Sequence, residues 1–255
     1  MNILTSHSLH SIKTWHDEAL EKGAVILIDK DTEWTSFDVV AKLRRILGIK
    51  KIGHAGTLDP LATGLLIVCV GRPATKLISE FQNSSKTYLA TIKLGASTIS
   101  YDCETPESEF ADIPNELTNE SVNAALQSFL GESKQVPPMF SALKKNGIPL
   151  YKQARKGIQE EIEPRNIVID RISLEDIEGS KIKITVHCSK GTYIRSLARD
   201  IAHTLGTVGY LTELRRIESG DFSVDDAIRI QDFEQMFNIA TMDMPIPTTA
   251  ESDSQ

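Results

Sequence analysis

Six consecutive apolar residues, Leu65 to Val70, stand between Gly64 and Gly71. A strand of that composition offers apolar side chains to both of its faces, so it reads as a buried strand inside a core. Val25 to Ile28 is a shorter run of the same kind. With 255 residues and 40% apolar content, the chain can bury one sizeable core around such strands, or one core and a small appendage. No stretch approaches the roughly 18 apolar residues of a membrane span, and no basic region followed by an apolar one opens the chain. A cytoplasmic location with no membrane partner is therefore expected. Cys69, Cys103 and Cys188 are far apart and show no C-x-x-C spacing, which argues against a disulfide framework and a structural zinc site.

Around these runs the pattern predicts a mixture of strands and helices. Thr35 or Ser36 can cap a helix that places Phe37, Val40, Leu43 and Leu47 on one face and stops at Gly48. Gly53, Gly56, Pro60 and Gly64 break the next stretch into a loop. A third strand is expected over Tyr88 to Leu94, and a helix from Thr118 to Leu130 with Val122, Leu126, Phe129 and Leu130 inward. Val136 to Gly157 holds three prolines and two glycines, a composition suited to an exposed and mobile loop ending in a short helix. Ile167 to Ile172 and Lys181 to Cys188 read as strands, the second with Ile182, Ile184, Val186 and Cys188 alternating with polar residues. Thr192 to Leu205 gives a helix, Tyr210 to Ile217 a strand, and the sequence after Asn238 a frayed polar tail. Strands and helices do not alternate strictly, which disfavours a doubly wound nucleotide fold. The expected class is α+β.

Net charge is -7, yet the bases are not evenly spread. Five bases and no acid lie between Lys42 and Lys51, six between Lys134 and Lys156, and five between Lys181 and Arg199, together 16 of the 28 basic residues. Counterion release from a polyanion could drive binding at such windows, although each can equally be a solvated surface. Seven acids without a base run from Asp102 to Glu120 and are expected to face away from any phosphate backbone. The phosphate loops, dinucleotide turn, zinc helix and nucleophile elbow that announce the commonest cofactor and hydrolase sites are absent. His187 and Cys188, adjacent on a strand, point to opposite faces and make no metal pair.

Asp59 is the residue that chemistry singles out. It sits between Leu58 and Pro60 in the segment Gly53 to Gly64, G-H-A-G-T-L-D-P-L-A-T-G. The proline keeps it out of a helix interior and holds its backbone extended. A carboxylate in so apolar a loop costs solvation free energy unless it is partnered, and a turn cap through Thr57 or Thr63 is the plain alternative to a functional role.

This segment resembles the signature of the TruB family of pseudouridine synthases, G-H-x-G-x-L-D-P-x-A-x-G. Further motifs follow in that family's order: Lys86 to Ala90, Pro137 to Lys144, Leu150-Tyr151 with Ala154 to Gly157, Cys188 to Arg195, and Leu214 to Arg216. The resemblance covers residues 23–243, read as the catalytic domain, with 1–22 as an N-terminal extension and 244–255 as a polar tail. It implies the pseudouridine synthase fold, a mixed and mostly antiparallel sheet flanked by helices and loops, with the active-site cleft across the sheet. It also implies conversion of uridine to pseudouridine at position 55, in the T-arm of tRNA, without cofactor, metal or guide RNA, by a monomer. Carried over residue by residue, Asp59 becomes the nucleophile, Arg195 its partner and Tyr88 the ring beside the target base. His54, Tyr193, Leu214 and Lys30 become substrate-binding residues. Residues 136–163 match the mobile insertion that clamps the RNA arm, where Lys144, Lys145, Lys152 and Arg155 would meet the backbone, as would Lys190. Where the family has D-K-P-x-G-x-x-S, Asp29 to Ser36 lacks the proline and the glycine. Many relatives continue into a C-terminal PUA domain, and contact with less of the tRNA body is expected here.

The implied reaction suits these residue types. The C1′ to N1 bond is cut, the base turns, and C1′ joins C5, with no net redox change or group donor. One ionised carboxylate can stabilise or bond to an oxocarbenium-like centre, as in retaining glycosidases. A guanidinium beside Asp59 would keep it ionised. Leu58, Leu61, Tyr88, Tyr193 and Leu214 are suitable walls against water, and the base must leave its stack at a cost of a few kcal/mol. The basic windows also fit a second role, a tRNA-binding folding helper that does not depend on Asp59. A metal-dependent phosphodiesterase has no ligand spacing to support it.

Overall fold

The computed structural model describes residues 2–114, 117–158 and 160–242. Its main strands are β1 (Asn2–Leu4), β2 (Ala24–Lys30), β3 (Ile52–Ala55), β4 (Thr63–Val70), β5 (Lys86–Leu94), β6 (Gly131–Gln135), β7 (Arg165–Glu178), β8 (Lys181–Cys188), β9 (Gly209–Ser219), β10 (Phe222–Ser223) and β11 (Ile228–Arg229). The principal helices are α1 (Ile12–Glu21), α2 (Ser36–Leu47), α3 (Asn119–Gln127), α4 (Leu150–Ala154), α5 (Ile194–Thr204) and α6 (Ile230–Met242). Among the described residues the strands form one 11-stranded sheet in the order β1-β2-β4-β9-β5-β8-β7-β6, with β3 beside β4, β10 beside β9 and β11 beside β2. The β1-β2, β4-β9 and β2-β11 pairs are parallel and the others antiparallel, so the architecture is α+β with a mixed, mostly antiparallel sheet.

The run Leu65 to Val70 is apolar throughout because β4 feeds two cores. Leu66, Val68 and Val70 pack into the main cluster, while Leu65, Ile67 and Cys69 pack into a second cluster with Val25, Leu27, Ala55 and Ala74. Every second residue of a strand faces one side, so a strand covered on both sides has no polar position to spare. By contrast, β8 alternates buried Ile182, Ile184, Val186 and Cys188 with more exposed residues, as a strand covered on one face should.

The two wings of the sheet are joined weakly. β4 and β9 meet in parallel register only at Thr63↔Arg215 and Gly64↔Arg216. Gly64 has φ +98°, and a Cβ there would lie 2.9 Å from the Arg216 nitrogen and nearer still to its carbonyl oxygen. Only glycine allows the backbones this approach. The loop carrying Asp59 enters β4 at this junction.

Several expectations need correction. Phe37 does not face the core: it is 65% exposed, and Val39 joins Val40, Leu43 and Leu47 on the buried face. The Arg44 guanidinium lies 5.9 Å from its ring centroid, and the ring otherwise stands open. Part of the expected loop is strand β3, paired with β4 from Ile52↔Val70 to Ala55↔Ile67. Leu130 is 41% exposed, because α3 ends at Gln127 and Gly131 opens β6 instead of merely stopping a helix. In the N-terminal extension β1 pairs with β2, and α1 buries Trp15 completely, its indole N–H donating to the Val25 carbonyl. After Asn238, α6 continues to Met242 with Phe233 and Phe237 buried, and the remaining tail residues, 243–255, lie outside the described residues. Within Val136 to Gly157, Pro137, Pro138, Ser141, Leu150 and Gln153 are buried, while the rest of the segment is half-buried or exposed. It contains the strand pair Lys144–Lys145 and Ile148–Pro149 and then α4.

Candidate active site

Four elements converge on Asp59. Thr35 caps α2, accepting from the Asp38 amide, and this brings Ser36 to the first turn of the helix. Ser36 Oγ accepts from the Leu58 amide at 2.9 Å and donates to the Leu58 carbonyl at 3.2 Å, fixing the residue before Asp59 at both of its backbone groups. The Ala62 amide closes a turn onto the Asp59 carbonyl at 3.0 Å. The Asp59 carboxylate is thus left free to face outward from a fixed backbone, instead of capping its own turn.

Arg195 comes from the first turn of α5. Gln135, the last residue of β6, donates to the Tyr193 carbonyl at 3.1 Å and accepts from its amide at 2.8 Å, which sets the start of that helix. Arg195 itself is 3% exposed, and all three of its guanidinium nitrogens are engaged. Nε lies 2.9 Å from Asp59 Oδ2, Nη1 lies 3.3 Å from Asp102 Oδ2 and donates to the Ser100 carbonyl, and Nη2 donates to the Phe140 carbonyl at 2.8 Å. A buried guanidinium is tolerated where its donors meet charges and carbonyls in this way. Asp59 keeps 34% of its side-chain surface open.

That open side faces a cavity of about 310 Å³ whose lining includes Lys86, Tyr88, Tyr193, Ile194, Arg195 and Leu214. Burial raises the Asp59 carboxyl above its ordinary range; Arg195 opposes the rise and Asp102 adds to it. The site thus holds two carboxylates against one guanidinium. Burial likewise raises the Tyr88 and Tyr193 phenols, so that both rings present neutral hydroxyls at neutral pH. A larger cavity of about 640 Å³ lies on the other side of Leu214, along Pro60, Leu61, Leu89, Thr91 and Arg215. Leu61 lines that cavity rather than the one at Asp59.

Asp59, Tyr88, Tyr193, Arg195 and Leu214 therefore meet in one cavity, while His54 and Lys30 do not line it. His54 lies on β3, and its buried Nδ1 has no hydrogen-bond partner within the described residues. Lys30 is 1% exposed, and its ammonium is spent on the carbonyls of Asp31 and Trp34. Those bonds hold the turn after β2, where the family's proline and glycine are missing. Of the residues expected at the RNA backbone, Lys144, Lys152 and Lys190 are exposed, and Lys190 bonds Asn83. Lys145 pairs with Glu160, and Arg155 pairs with Glu104.

Two acids of the stretch that begins at Asp102 turn toward the site. Asp102 is 2% exposed and touches Arg195, and Glu104 holds Arg155 of the basic window. Counting acids along the chain hides this, since charge runs carry no information about which member turns inward. Two further residues belong to the site without having been expected there. Arg216, 1% exposed and opposite Tyr88 in the β5-β9 register, donates to the Leu65 and Gly56 carbonyls and so ties the Asp59 loop to β9. Lys86 lines the cavity with its ammonium turned onto the carbonyls of Gln82 and Ser84, and burial lowers its pKa to about 8. Both lie within the motifs that carry the family resemblance, which is the signal the sequence offers for them. Among the described residues no group of three or more His, Cys, Asp or Glu could hold a metal ion, and no helix is long and apolar enough to cross a membrane.

Comparison with solved structures places this arrangement in a class. A chain of a Cbf5-Nop10-Gar1 complex superposes with a TM-score of 0.69 at 28% identity, covering 89% of this chain and 58% of that one. A chain of an H/ACA RNP bound to a substrate RNA containing 2′-deoxyuridine gives 0.66 at 26% identity, covering 91% and 58%. This chain thus spans less than two thirds of either, and the fold is that of the pseudouridine synthases. Residues 44–194 match the TruB family pseudouridylate synthase N-terminal domain, and residues 195–244 the tRNA pseudouridylate synthase B C-terminal domain. The chain belongs to the TruB family. Among its relatives, tRNA pseudouridine synthase B of Desulfotalea psychrophila is 50% identical over 81% of this chain and 85% of its own length. The protein of the same name from Phocaeicola vulgatus is 48% identical over 84% and 93%.

Proposed function

We propose that this chain isomerises uridine to pseudouridine in tRNA, at position 55 of the T-arm, with Asp59 as its covalent catalyst. The observation that carries the reading is the Asp59–Arg195 pair at the mouth of a cavity walled by Tyr88, Tyr193 and Leu214. A half-open carboxylate can reach C1′ or the ring of an everted nucleoside, and the fixed guanidinium keeps it anionic while charge develops opposite it. The tyrosines and Leu214 exclude the water that would capture a detached sugar. Bookkeeping is simple: the C1′–N1 bond breaks, C1′–C5 forms, the C5 proton leaves, and N1 gains one.

The insertion, residues 136–163, would clamp the RNA arm, with Lys144 and Lys152 against phosphates and recognition resting on the folded shape of the T-loop. In this reading the enzyme works as a cytoplasmic monomer without guide RNA or cofactor. Purified protein and a T-arm stem-loop, with no additive, should yield pseudouridine at the target base, mapped by chemical probing of the product. Asp59→Ala should lower the rate by up to about 10⁶-fold, as loss of a nucleophile does. Pseudouridine formed by that variant at the wild-type rate would sink the assignment. If Asp59→Ala instead rescued a tRNA-folding defect as well as wild type, a folding-helper role would stand beside catalysis.

A further inference from the structure

The insertion reaches the site arginine by two routes, one direct and one through the 102–104 turn. At its start the Phe140 carbonyl accepts from Arg195 Nη2 at 2.8 Å. At the end of α4, Arg155 Nη2 donates to Glu104 Oε1. The Glu104 amide in turn donates to Asp102 Oδ1 at 2.8 Å, and Asp102 Oδ2 faces Arg195 Nη1 at 3.3 Å. From Arg155 to Asp59 every step is therefore a hydrogen bond or an ion pair. Within the insertion the Tyr151 amide donates to the Ser141 carbonyl at 3.0 Å and the Leu150 amide to the Leu143 carbonyl at 2.7 Å, which ties the start of α4 to the Phe140 segment. Tyr151 also lies under the Arg155 guanidinium at 5.7 Å, which presets its direction.

We infer that Glu104 and Arg155 form a positioning clasp: seating the insertion on the 102–104 turn through this pair holds Asp102, and through it Arg195, in the orientation that serves Asp59. The inference rests on the reading of Asp59 as the catalyst. It gives Arg155 a role different from that of the other bases in its window. Lys144 and Lys152 are exposed with no ion pair among the described residues, whereas Arg155 is already engaged by an acid of the opposite wall. A phosphate that captured Arg155 would have to displace Glu104 and open the clasp. The two roles therefore make different demands on the partner residue.

The test measures the single-turnover rate constant at saturating T-arm stem-loop, and separately Kd for that RNA, in wild type, Glu104→Gln, Arg155→Gln, Arg155→Lys and the double exchange Glu104→Arg/Arg155→Glu. Each Gln variant should lower the saturating rate constant about two- to fivefold, the usual coupling of an exposed ion pair expressed as a rate ratio, with Kd changed by less than about twofold. Arg155→Lys should keep most of the rate, and the double exchange should restore it. A raised Kd in Arg155→Gln at unchanged rate constant, with Glu104→Gln unaffected or binding more tightly, would make Arg155 a phosphate contact and overturn the clasp, as would failure of the double exchange to restore the rate. Absence of product from wild type would count against the underlying reading of Asp59 instead.

Discussion

Asp102 Oδ2 lies 3.3 Å from Arg195 Nη1, so the guanidinium that holds Asp59 is shared between two carboxylates separated widely in the chain. Sharing fixes direction as well as charge. An arginine gripped on one side by Asp102, Ser100 and Phe140 can offer Nε to Asp59 in one orientation only.

Arg195→Lys tests that geometry. A lysine keeps the charge but cannot satisfy the Phe140 carbonyl, Asp102 and Asp59 from one ammonium. The saturating rate constant should fall by about 10²–10³-fold, comparable to removal of a preorganised electrostatic group, with little change in Kd for the stem-loop. A loss below about threefold would show that charge alone suffices.

Asp59→Asn should separate activity from stability. Burial places the folded-state pKa of Asp59 above its unfolded value, so the folded protein binds more protons between the two values. Stability is therefore lost as pH rises through that window, and removing the carboxyl should return it while Asp102 continues to pair Arg195. The variant should be inactive, melt at least as high as wild type at pH 7 to 8, and lose that advantage as pH falls to about 4, the ordinary carboxylate range. Melting curves across this range decide the matter, and a lower melting temperature at neutral pH would contradict the sign. Wild-type turnover should likewise fall on the acid side at a pH above that range, because the ionised carboxylate is the active form.

Gly64→Ala addresses the junction between the wings. Its φ of +98° and the closeness of the Arg216 backbone to the position a methyl carbon would take leave no room for a side chain. Backbone strain alone should cost about 1–3 kcal/mol, read as a lower urea midpoint at unchanged m-value. Because Arg216 faces Tyr88, residual activity should fall further than stability does.

Lys144 and Lys145 should differ despite their adjacency. Lys144 has no ion pair among the described residues, whereas Lys145 Nζ lies 2.7 Å from Glu160 Oε2. Lys144→Ala should flatten the slope of log K against log salt by about 0.7–0.9 for stem-loop binding, and Lys145→Ala by less. Equal slopes would mean that Glu160 leaves Lys145 when RNA binds.

How far the chain can be read from its residues depends on the range of the forces involved. The Thr35 cap and Gly48 stop of α2, the alternation along β8 and the doubly apolar run of β4 depend on neighbours a few residues away, and all three appear as read. Period alone places Phe37 and Leu130 inward, but which edge of an amphipathic helix is covered depends on what packs over it. The buried side of α1 is a narrow stripe of Ile12, Trp15 and Ala19, and its place is set by Trp15 inserting between β2 and α6.

By itself the sequence determined the longer central strands and the capped helices, and it marked Asp59, Tyr88, Tyr193, Arg195 and Leu214 through motifs spread along the chain. Only the tertiary structure decided that these five share one cavity, that Lys30 and His54 stand outside it, and that Asp102 and Glu104 turn toward the site. The reason is physical. Local pattern is written by periodicity and capping within a few residues, whereas the partner of a buried charge is chosen by strand register and loop closure between segments that the chain keeps far apart.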